Sequence, residues 1–151
     1  VGKVKAINIA AAIELGKRRR ENGLRDSTKI QSSQSVFELM HSRIGDLPHE
    51  EFWVIYVNNS NRVLQTKQIS KGGITGTLVD VRLVLKTALE LGAVAILLVH
   101  NHPSGSLRPS EPDKKLTMKL KQAGESMDIR VLDHIIITEK TYFSFADEHL
   151  L

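Results

Sequence analysis

The sequence predicts an α/β domain, in which a mixed sheet is covered by helices on both faces. Stretches with helical apolar spacing alternate along the chain with short runs of β-branched and aromatic residues. A hairpin of two such runs comes first, and a helix, a buried strand and another helix follow it. This order is typical of a three-layer α/β/α arrangement. With 151 residues, the chain is long enough to form one domain with its own core.

The N-terminal third is predicted to be helical, with one interruption. Apolar spacing over residues 4–20 predicts a first helix, and Asn22-Gly23 favours its end. Residues 24–33 are polar and lack an apolar period, which predicts a linker. A second helix is predicted over residues 34–43, and its inward side chains are Val36, Phe37, Met40 and Ile44.

The remaining elements follow from residue composition and from turn residues. They are strands over Phe52–Val57 and Arg62–Ser70 around the turn Asn58–Asn61, a flexible loop with Gly72, Gly73 and Gly76, a helix over Asp80–Leu91 that ends at Gly92, a buried strand over Ala93–Val99, a helix from Ser110 to about Met127, and short strands over Ile129–Leu132, His134–Thr138 and Tyr142–Phe145.

Two histidines stand directly after the apolar run that predicts the buried strand. His100 and His102 are two residues apart, so they project to the same face of a strand. Asp113 follows, and ten residues separate it from His102. Two imidazoles and a carboxylate suit a catalytic zinc site, which uses three protein ligands and leaves the fourth position for water. A single histidine would more often be a hydrogen-bonded or solvated residue, but this combination predicts a metal site.

Ser110 and Asp113 also have a purely structural interpretation. The pattern Ser-x-x-Asp is typical of a capping box at the start of a helix. Both interpretations are compatible, because a capped helix start presents Asp113 to a metal. The Ser110 hydroxyl has one donor and two acceptor sites, so it can cap the helix and also donate to a developing oxyanion.

A hydrolytic zinc site needs a base that takes a proton from water. The candidates are Glu50 and Glu51, directly before the strand that begins at Phe52. Alternation sends the two side chains to opposite faces, and the pattern alone does not choose between them. His134 follows Asp133 at a predicted strand start. It is either a buried, hydrogen-bonded histidine or a residue that supports the metal site or the substrate side.

Composition limits the function classes and the cellular location. The chain has no cysteine, which excludes disulfides and thiolate chemistry. The chain as given contains no signal peptide and no apolar run near the length of a membrane span, so we expect no membrane contact. The lack of cysteine fits a cytoplasmic protein, which is the expected location. Because the chain begins with Val1, we expect it to be part of a longer protein.

Positive charge is concentrated at the N-terminus. Residues 1–30 contain eight Lys or Arg and three Asp or Glu, a net charge of +5, whereas residues 31–151 contain thirteen and fourteen, a net charge of −1. The run Lys17-Arg18-Arg19-Arg20 is either a solvated helix end, where cations complement the helix dipole, or a contact for nucleic-acid phosphates.

The motif His-x-His, seven residues, Ser, two residues, Asp resembles the JAMM motif of JAB/MPN-type metalloproteases. The stretch His100–Gly105 is more closely similar to RadC-like proteins. Further similarity lies in Glu50-Glu51-Phe52, in Asn58 to Val63, in Leu132-Asp133-His134-Ile135-Ile136 and in Ser144-Phe145-Ala146. Val1-Gly2-x-Val4-Lys5-Ala6 resembles the last part of the helix-hairpin-helix region that precedes the JAB domain in RadC proteins. One departure is Val81-Arg82-Leu83, where the family often has Pro-Arg-Glu.

The resemblance implies a cytidine-deaminase-like α/β/α fold, one zinc ion and metallopeptidase or isopeptidase chemistry on a protein or peptide substrate. It implies that His100, His102 and Asp113 are the metal ligands, and it favours Glu50 as the base because the family's glutamate stands two residues before the Phe. It also implies an association with DNA repair. The domain organisation that follows is residues 1–23 as a remnant of the helix-hairpin-helix region, 24–33 as a linker, and 34–151 as the hydrolase domain.

Two other function classes stay open. One is a DNA-associated binding module whose metal site is structural or idle, and the other is a nuclease that uses the metal on phosphodiesters. The letters His-Asn-His do not indicate an HNH nuclease, because the residues of that name are spread over a ββα unit. A zinc deaminase is excluded, because it needs cysteine ligands.

Overall fold

The computed structural model describes residues 2–72 and 78–151, and for residues 17–27 it describes the backbone only. The predicted loop with Gly73 and Gly76 therefore lies outside the described residues. Within them, the elements in chain order are α1 (Lys3–Ser27), α2 (Ser33–Ile44), β1 (Glu51–Val57), β2 (Val63–Lys71), α3 (Val81–Leu91), β3 (Ala95–Asn101), α4 (Glu111–Glu125), β4 (Arg130–Ile137) and β5 (Tyr142–Ser144).

The strands form one mixed sheet in the order β2-β1-β3-β4-β5. Strand β1 is antiparallel to both β2 and β3, β3 is parallel to β4, and β4 is antiparallel to β5. The central position of β3 explains its composition, because a strand with a neighbour on each side and a helical layer on each face is buried along its whole length.

Helices cover both faces of the sheet, as predicted. On one face, Val36, Met40 and Ile44 of α2 pack against the sheet. On the other face, α3 and α4 contribute Val84, Leu85, Ala88 and Leu120, which pack against residues such as Phe52 and Leu98. Odd-numbered residues of β3 face α2, and even-numbered residues face α3 and α4. His100 therefore belongs to the α3/α4 face.

The predicted end of the first helix is wrong. Helix α1 continues through Gly23 to Ser27. Glycine inside a helix costs about 1 kcal/mol relative to alanine, and that cost weakens a helix without ending it. The predicted linker over 24–33 is correspondingly shorter, and part of it joins the domain. Ile30 is buried in the core, and its amide donates to the carbonyl oxygen of Asn61 at 2.8 Å.

Two predicted short strands, Ile129–Leu132 and His134–Thr138, are one strand. Strand β4 is continuous, and a bulge at Leu132 absorbs the irregularity, since Ile96 pairs with Val131 and Leu97 pairs with Asp133. The break was predicted at Asp133, a residue type that is depleted in strands. The carboxylate is tolerated because it accepts hydrogen bonds from Ser144 Oγ at 2.6 Å and from the amide of Ala146 at 3.0 Å.

The α1 helix differs from the other helices in its burial. The side chains of Val4, Ile7, Ile9, Ile13 and Leu15 are all more than half exposed. The apolar spacing that predicted this helix therefore does not correspond to packing against the described part of the domain. No helix among the described residues is both long enough and apolar enough to cross a membrane.

Candidate metal centre

His100 and His102 lie at the C-terminal end of the central strand. His100 is the penultimate residue of β3, and the amide of His102 continues the ladder by donating to the carbonyl oxygen of Ile137 at 2.9 Å. Both rings are directed to the α3/α4 face, and their Nε2 atoms are 3.0 Å apart. They are 3% and 9% exposed, so they lie at the edge of the core rather than in bulk solvent.

Asp113 approaches the same point from the start of α4. Ser110 is the N-cap, its hydroxyl accepts from the amide of Asp113 at 3.2 Å, and Asp113 Oδ2 accepts from the amide of Ser110 at 2.7 Å. This capping box fixes the carboxylate relative to the helix. It leaves Oδ1 at 3.4 Å from His100 Nε2, and Oδ2 lies 3.6 Å from His102 Nε2.

The spacing of the three side chains fits a shared metal ion. Each offers one ligand atom, and these atoms all lie within 4.8 Å of one another. Zn–N bonds of about 2.0–2.1 Å in tetrahedral geometry place two ligand atoms about 3.3 Å apart. The His102 ring has the matching orientation, because its Nδ1 is 2.8 Å from the carbonyl oxygen of Ser106, which can only accept. In the neutral ring the hydrogen is therefore on Nδ1, which leaves the Nε2 lone pair directed to the centre for a metal.

Electrostatics at this point favour a cation. Burial raises the pKa of Asp113, but the two imidazoles and the Ser110 side chain outweigh burial and hold that pKa far below its ordinary value of 3.8. Burial lowers the pKa of His102. Hydrogen bonds to Asp113 and Ser106, together with the negative charges of Asp113 and Glu50, outweigh burial and raise that pKa above 6.5. A carboxylate that stays ionised beside two imidazoles is suited to binding a divalent metal.

The two adjacent glutamates have different environments. Glu51 is buried on the α2 side, where Oε1 contacts His49 Nε2 at 2.9 Å and Oε2 accepts from Trp53 Nε1 at 2.9 Å. Burial raises the pKa of Glu51, and these two hydrogen bonds lower it below 4.5 overall. Its carboxylate is thus occupied by hydrogen bonds to His49 and Trp53, away from His100 and His102.

Glu50 is on the other side of the chain. By alternation it shares the face of Phe52, whose ring stacks against His100 with centroids 6.0 Å apart. Its charge contributes to the raised pKa of His102. Glu50 is half-buried and directly precedes β1, so it lies at the edge of the sheet where β3 ends.

Asn101, which the sequence analysis did not single out, holds the segment that carries Glu50. Its side chain accepts from the amide of Glu51 at 2.7 Å and donates to the carbonyl oxygen of His49 at 2.8 Å. The carbonyl oxygen of Glu50 itself accepts from the amide of Gly72 at 2.7 Å. The sequence does contain a signal for this role, since Asn101 continues the otherwise apolar face of the predicted strand. A buried carboxamide there must have hydrogen-bond partners.

His134 lies behind the centre and is fully buried. Its Nε2 is 2.7 Å from His100 Nδ1, and its Nδ1 is 2.6 Å from the hydroxyl of Thr117 in α4. Burial lowers the pKa of His134 well below 6.5, and the charges of His100 and His102 lower it further. The first interpretation of His134, a buried and hydrogen-bonded histidine, is confirmed. Its contact with His100, a candidate ligand, keeps the second interpretation as a prediction.

The Ser110 hydroxyl is exposed at the mouth of the site. As a cap it accepts from the Asp113 amide. The same hydroxyl also interacts with the Asp113 carboxylate, and this side-chain hydrogen bond helps to lower the pKa of Asp113. Because the hydroxyl is exposed, rotation about its C–O bond would let it donate to a bound molecule instead.

Fold and site together define a class of protein, an α/β domain whose central strand and adjacent helix bring together a His-His-Asp group that could hold a metal ion. Residues 30–150 match the family described as the RadC-like JAB domain. The match covers most of the chain, and the chain belongs to this family. The resemblance drawn from the sequence motifs is thereby confirmed.

Relatives from several bacteria align with nearly the whole chain. The UPF0758 protein of Flavobacterium johnsoniae is 55% identical over 148 residues, which are 98% of this chain and 65% of that protein. The UPF0758 proteins of Chlorobaculum parvum and Porphyromonas gingivalis are 41% and 40% identical over the full chain and are covered to 68% and 67%. The chain thus spans about two thirds of the length of these curated relatives.

Proposed function

We propose that this domain is a zinc-dependent hydrolase of peptide or isopeptide bonds, of the JAMM type. The observation that carries the proposal is the convergence of His100, His102 and Asp113 within 4.8 Å at the edge of the sheet. Three ligands from protein leave a coordination position for water, as catalytic zinc sites do. A zinc ion bound here would lower the pKa of a coordinated water and polarise the scissile carbonyl.

The chain's own residues supply the remaining chemistry. Glu50 accepts the proton of the attacking water and delivers it to the leaving amine. Ser110 donates its hydroxyl hydrogen to the developing oxyanion, and donors of this kind contribute about 2.7–4 kcal/mol in hydrolases where one has been removed. Phe52, stacked against His100, shields the inner side of the site from water.

The choice of Glu50 rests on the different surroundings of its neighbour. Glu51 already accepts from His49 and Trp53 on the α2 side, so it is not free to reach His100 and His102. Glu50 lies on the face of Phe52 and acts electrostatically on His102. A purely structural metal site would need no carboxylate base, so the behaviour of Glu50 also distinguishes a hydrolase from a binding module.

The first test is metal content. Replacing His100, His102 or Asp113 by Ala removes one of three ligands, so each variant is expected to lose most of its zinc by elemental analysis. His149→Ala, which changes an exposed histidine far along the chain, is the matched control and is expected to keep the wild-type content. Full zinc occupancy in all three ligand variants would rule out this site.

The second test separates the two glutamates. Glu50→Gln is expected to keep its zinc and to lose hydrolysis, by the factor of about 10²–10⁴ that a general base supplies, whereas Glu51→Gln is expected to have a much milder effect. The probes are a panel of fluorogenic peptides and lysine isopeptides. Zinc-loaded Glu50→Gln protein is also the form to use for capturing a substrate from a lysate. Equal hydrolysis by Glu50→Gln and wild type would refute the assignment of the base.

The panel also includes duplex DNA. Cleavage of DNA that survives rigorous purification and disappears in the His100→Ala variant would indicate a nuclease in place of a peptidase. Zinc binding with neither activity, and with no effect of Glu50→Gln, would indicate a module whose metal site is structural.

A further inference from the structure

A chain of hydrogen bonds joins one candidate ligand to another behind the metal centre. The Thr117 hydroxyl donates to the backbone carbonyl oxygen of Asp113 at 2.6 Å. Thr117 Oγ1 is also 2.6 Å from His134 Nδ1, and His134 Nε2 is 2.7 Å from His100 Nδ1. The chain starts at the backbone of the ligand on α4 and ends at the ring of the ligand on β3.

The bond from Thr117 to Asp113 determines the direction of the other two hydrogen bonds. A carbonyl oxygen can only accept, so the one hydroxyl hydrogen of Thr117 lies on the bond to Asp113. Thr117 must then accept from His134, which places a hydrogen on His134 Nδ1. A fully buried imidazole without a carboxylate partner is neutral, so His134 Nε2 has a lone pair and accepts from His100 Nδ1. When neutral, His100 therefore directs the lone pair of Nε2 to His102 and Asp113.

The surroundings of His134 leave it neither a ligand nor a proton carrier. Its ring stacks on Phe145 with centroids 4.7 Å apart, and it meets Phe52 edge-on at 5.6 Å. Both nitrogen atoms have partners, and the far end of the chain is a backbone carbonyl that has no proton to pass on. The aromatic packing and the two hydrogen bonds instead fix the ring in one orientation.

We propose that Thr117 and His134 are positioning residues that select the tautomer of His100 required for metal binding. The inference rests on the proposed function, because it assigns the residues that prepare the same site. Partners of this kind commonly orient metal-ligating histidines through the ring nitrogen that faces away from the metal. Here a neutral histidine takes that place, and its own tautomer is set by a threonine one helical turn after Asp113.

The tautomers are testable in the metal-free wild-type chain. Ring nitrogen shifts of ¹⁵N-histidine-labelled protein, in a chelator and above the ordinary histidine pKa of about 6.5, distinguish Nδ1–H from Nε2–H. The expected result is Nδ1–H for both His100 and His134. An Nε2–H or doubly protonated His134 would overturn the inference, and this measurement needs no variant and no substrate.

Zinc affinity tests the consequence. In competition with a chromogenic chelator, Thr117→Val is expected to bind zinc about 10–100-fold more weakly, the usual cost of losing an orienting partner. Thr117→Ser keeps the hydroxyl and is expected to stay within a factor of a few of wild type. His134→Leu is expected to lose affinity, and His134→Gln, which restores an acceptor, is expected to recover part of it.

A double-mutant cycle links the two residues. Thr117 reaches a ligand side chain only through His134, since its other hydrogen bond is to the backbone carbonyl oxygen of Asp113. Adding Thr117→Val to His134→Leu is therefore expected to cost little more zinc affinity than His134→Leu alone. Wild-type affinity in Thr117→Val would overturn the inference alone. Absence of zinc binding by the wild type would instead overturn the proposed function. A merely structural role for the Thr117 hydroxyl would lower thermal stability in Thr117→Val but would leave its zinc affinity unchanged, which would also overturn the inference.

Discussion

Neighbouring residues with the same side chain have different roles in this domain because a strand alternates. Glu51 is directed to the α2 face and accepts from His49 and Trp53. Glu50 is directed to the opposite face, where Phe52 meets His100. The same alternation places Asn101 between the two histidine side chains but on the other side of β3. One strand end therefore supplies ligands on one face and a backbone anchor on the other.

Asn101 provides a stability prediction at the scale of a residue. Asn101→Ala leaves the carbonyl oxygen of His49 and the amide of Glu51 without their partner. An unsatisfied buried group costs about 1–3 kcal/mol, so the free energy of unfolding is expected to fall by about 2 kcal/mol or more in urea titrations. Asn59→Ala, in the exposed turn of the hairpin, is the matched control and is expected to change it by less than about 0.5 kcal/mol. Equal effects of the two substitutions would contradict the assigned role of Asn101.

At the scale of an element, helix α4 combines folding and chemistry. Its capping box places Asp113 at the first turn, and Thr117 follows on the same side to contact His134. Its other end is fixed by tight packing. The carbonyl oxygen of Gly124 accepts from the amide of Ile129 at 2.9 Å, where the chain turns toward β4. The start of α4 is thus set by a local capping box, whereas its end depends on a contact with the chain that follows the helix.

Gly124 gives a prediction whose sign opposes helix propensity. Alanine is favoured over glycine inside a helix by about 1 kcal/mol, but a Cβ at Gly124 would collide with the carbonyl oxygen of Ile129. Because the backbone around Ile129 must shift, Gly124→Ala is expected to lower the free energy of unfolding by about 1–3 kcal/mol in thermal or urea unfolding. In α1, Gly16 has open space around it, so Gly16→Ala is expected to be neutral or slightly stabilising. A stabilised Gly124→Ala variant would show that the turn after α4 adapts at little cost.

At the scale of the whole molecule, the packed core and the positive charge lie in different parts of the chain. The buried apolar residues begin at Ile30, whereas the described apolar side chains of α1 are exposed. Residues 1–30 have a net charge of +5, and residues 31–151 have a net charge of −1. We propose that any DNA contact of this chain is made through α1, since counterion release needs a local concentration of cations.

A deletion in α1 tests whether the DNA contact and the packed domain lie in different parts of the chain. Removing residues 1–22 is expected to leave the domain folded and zinc-binding but to abolish duplex binding measured by anisotropy. Binding by the full chain is expected to fall steeply between low and moderate salt. The Lys119→Ala and Lys121→Ala double variant removes two cations of α4 and is expected to bind like the full chain. Undiminished affinity after the deletion would place DNA binding on the remaining domain.

The fold class and the candidate metal group were predictable from the sequence, because both depend on local patterns. His100 and His102 face the same way in any strand, and Ser110 with Asp113 predicts a capped helix start wherever the helix packs. Alternation of helical and strand patterns was enough to predict two helical layers around a mixed sheet. The ligand set and the base remain predictions until metal and activity are measured.

Other features depended on contacts between residues far apart in the chain. Glu50 and Glu51 are distinguished by the face of β1 that lies toward His100 and His102. The pairing of Phe52 with His100 determines which face that is. The continuity of β4 required Ser144 and Ala146 to satisfy Asp133. The role of His134 required Thr117 and His100 to reach it from α4 and β3. Sequence patterns report the period of one element, whereas burial and hydrogen-bond partners arise only when elements pack, so only the tertiary structure decided these points.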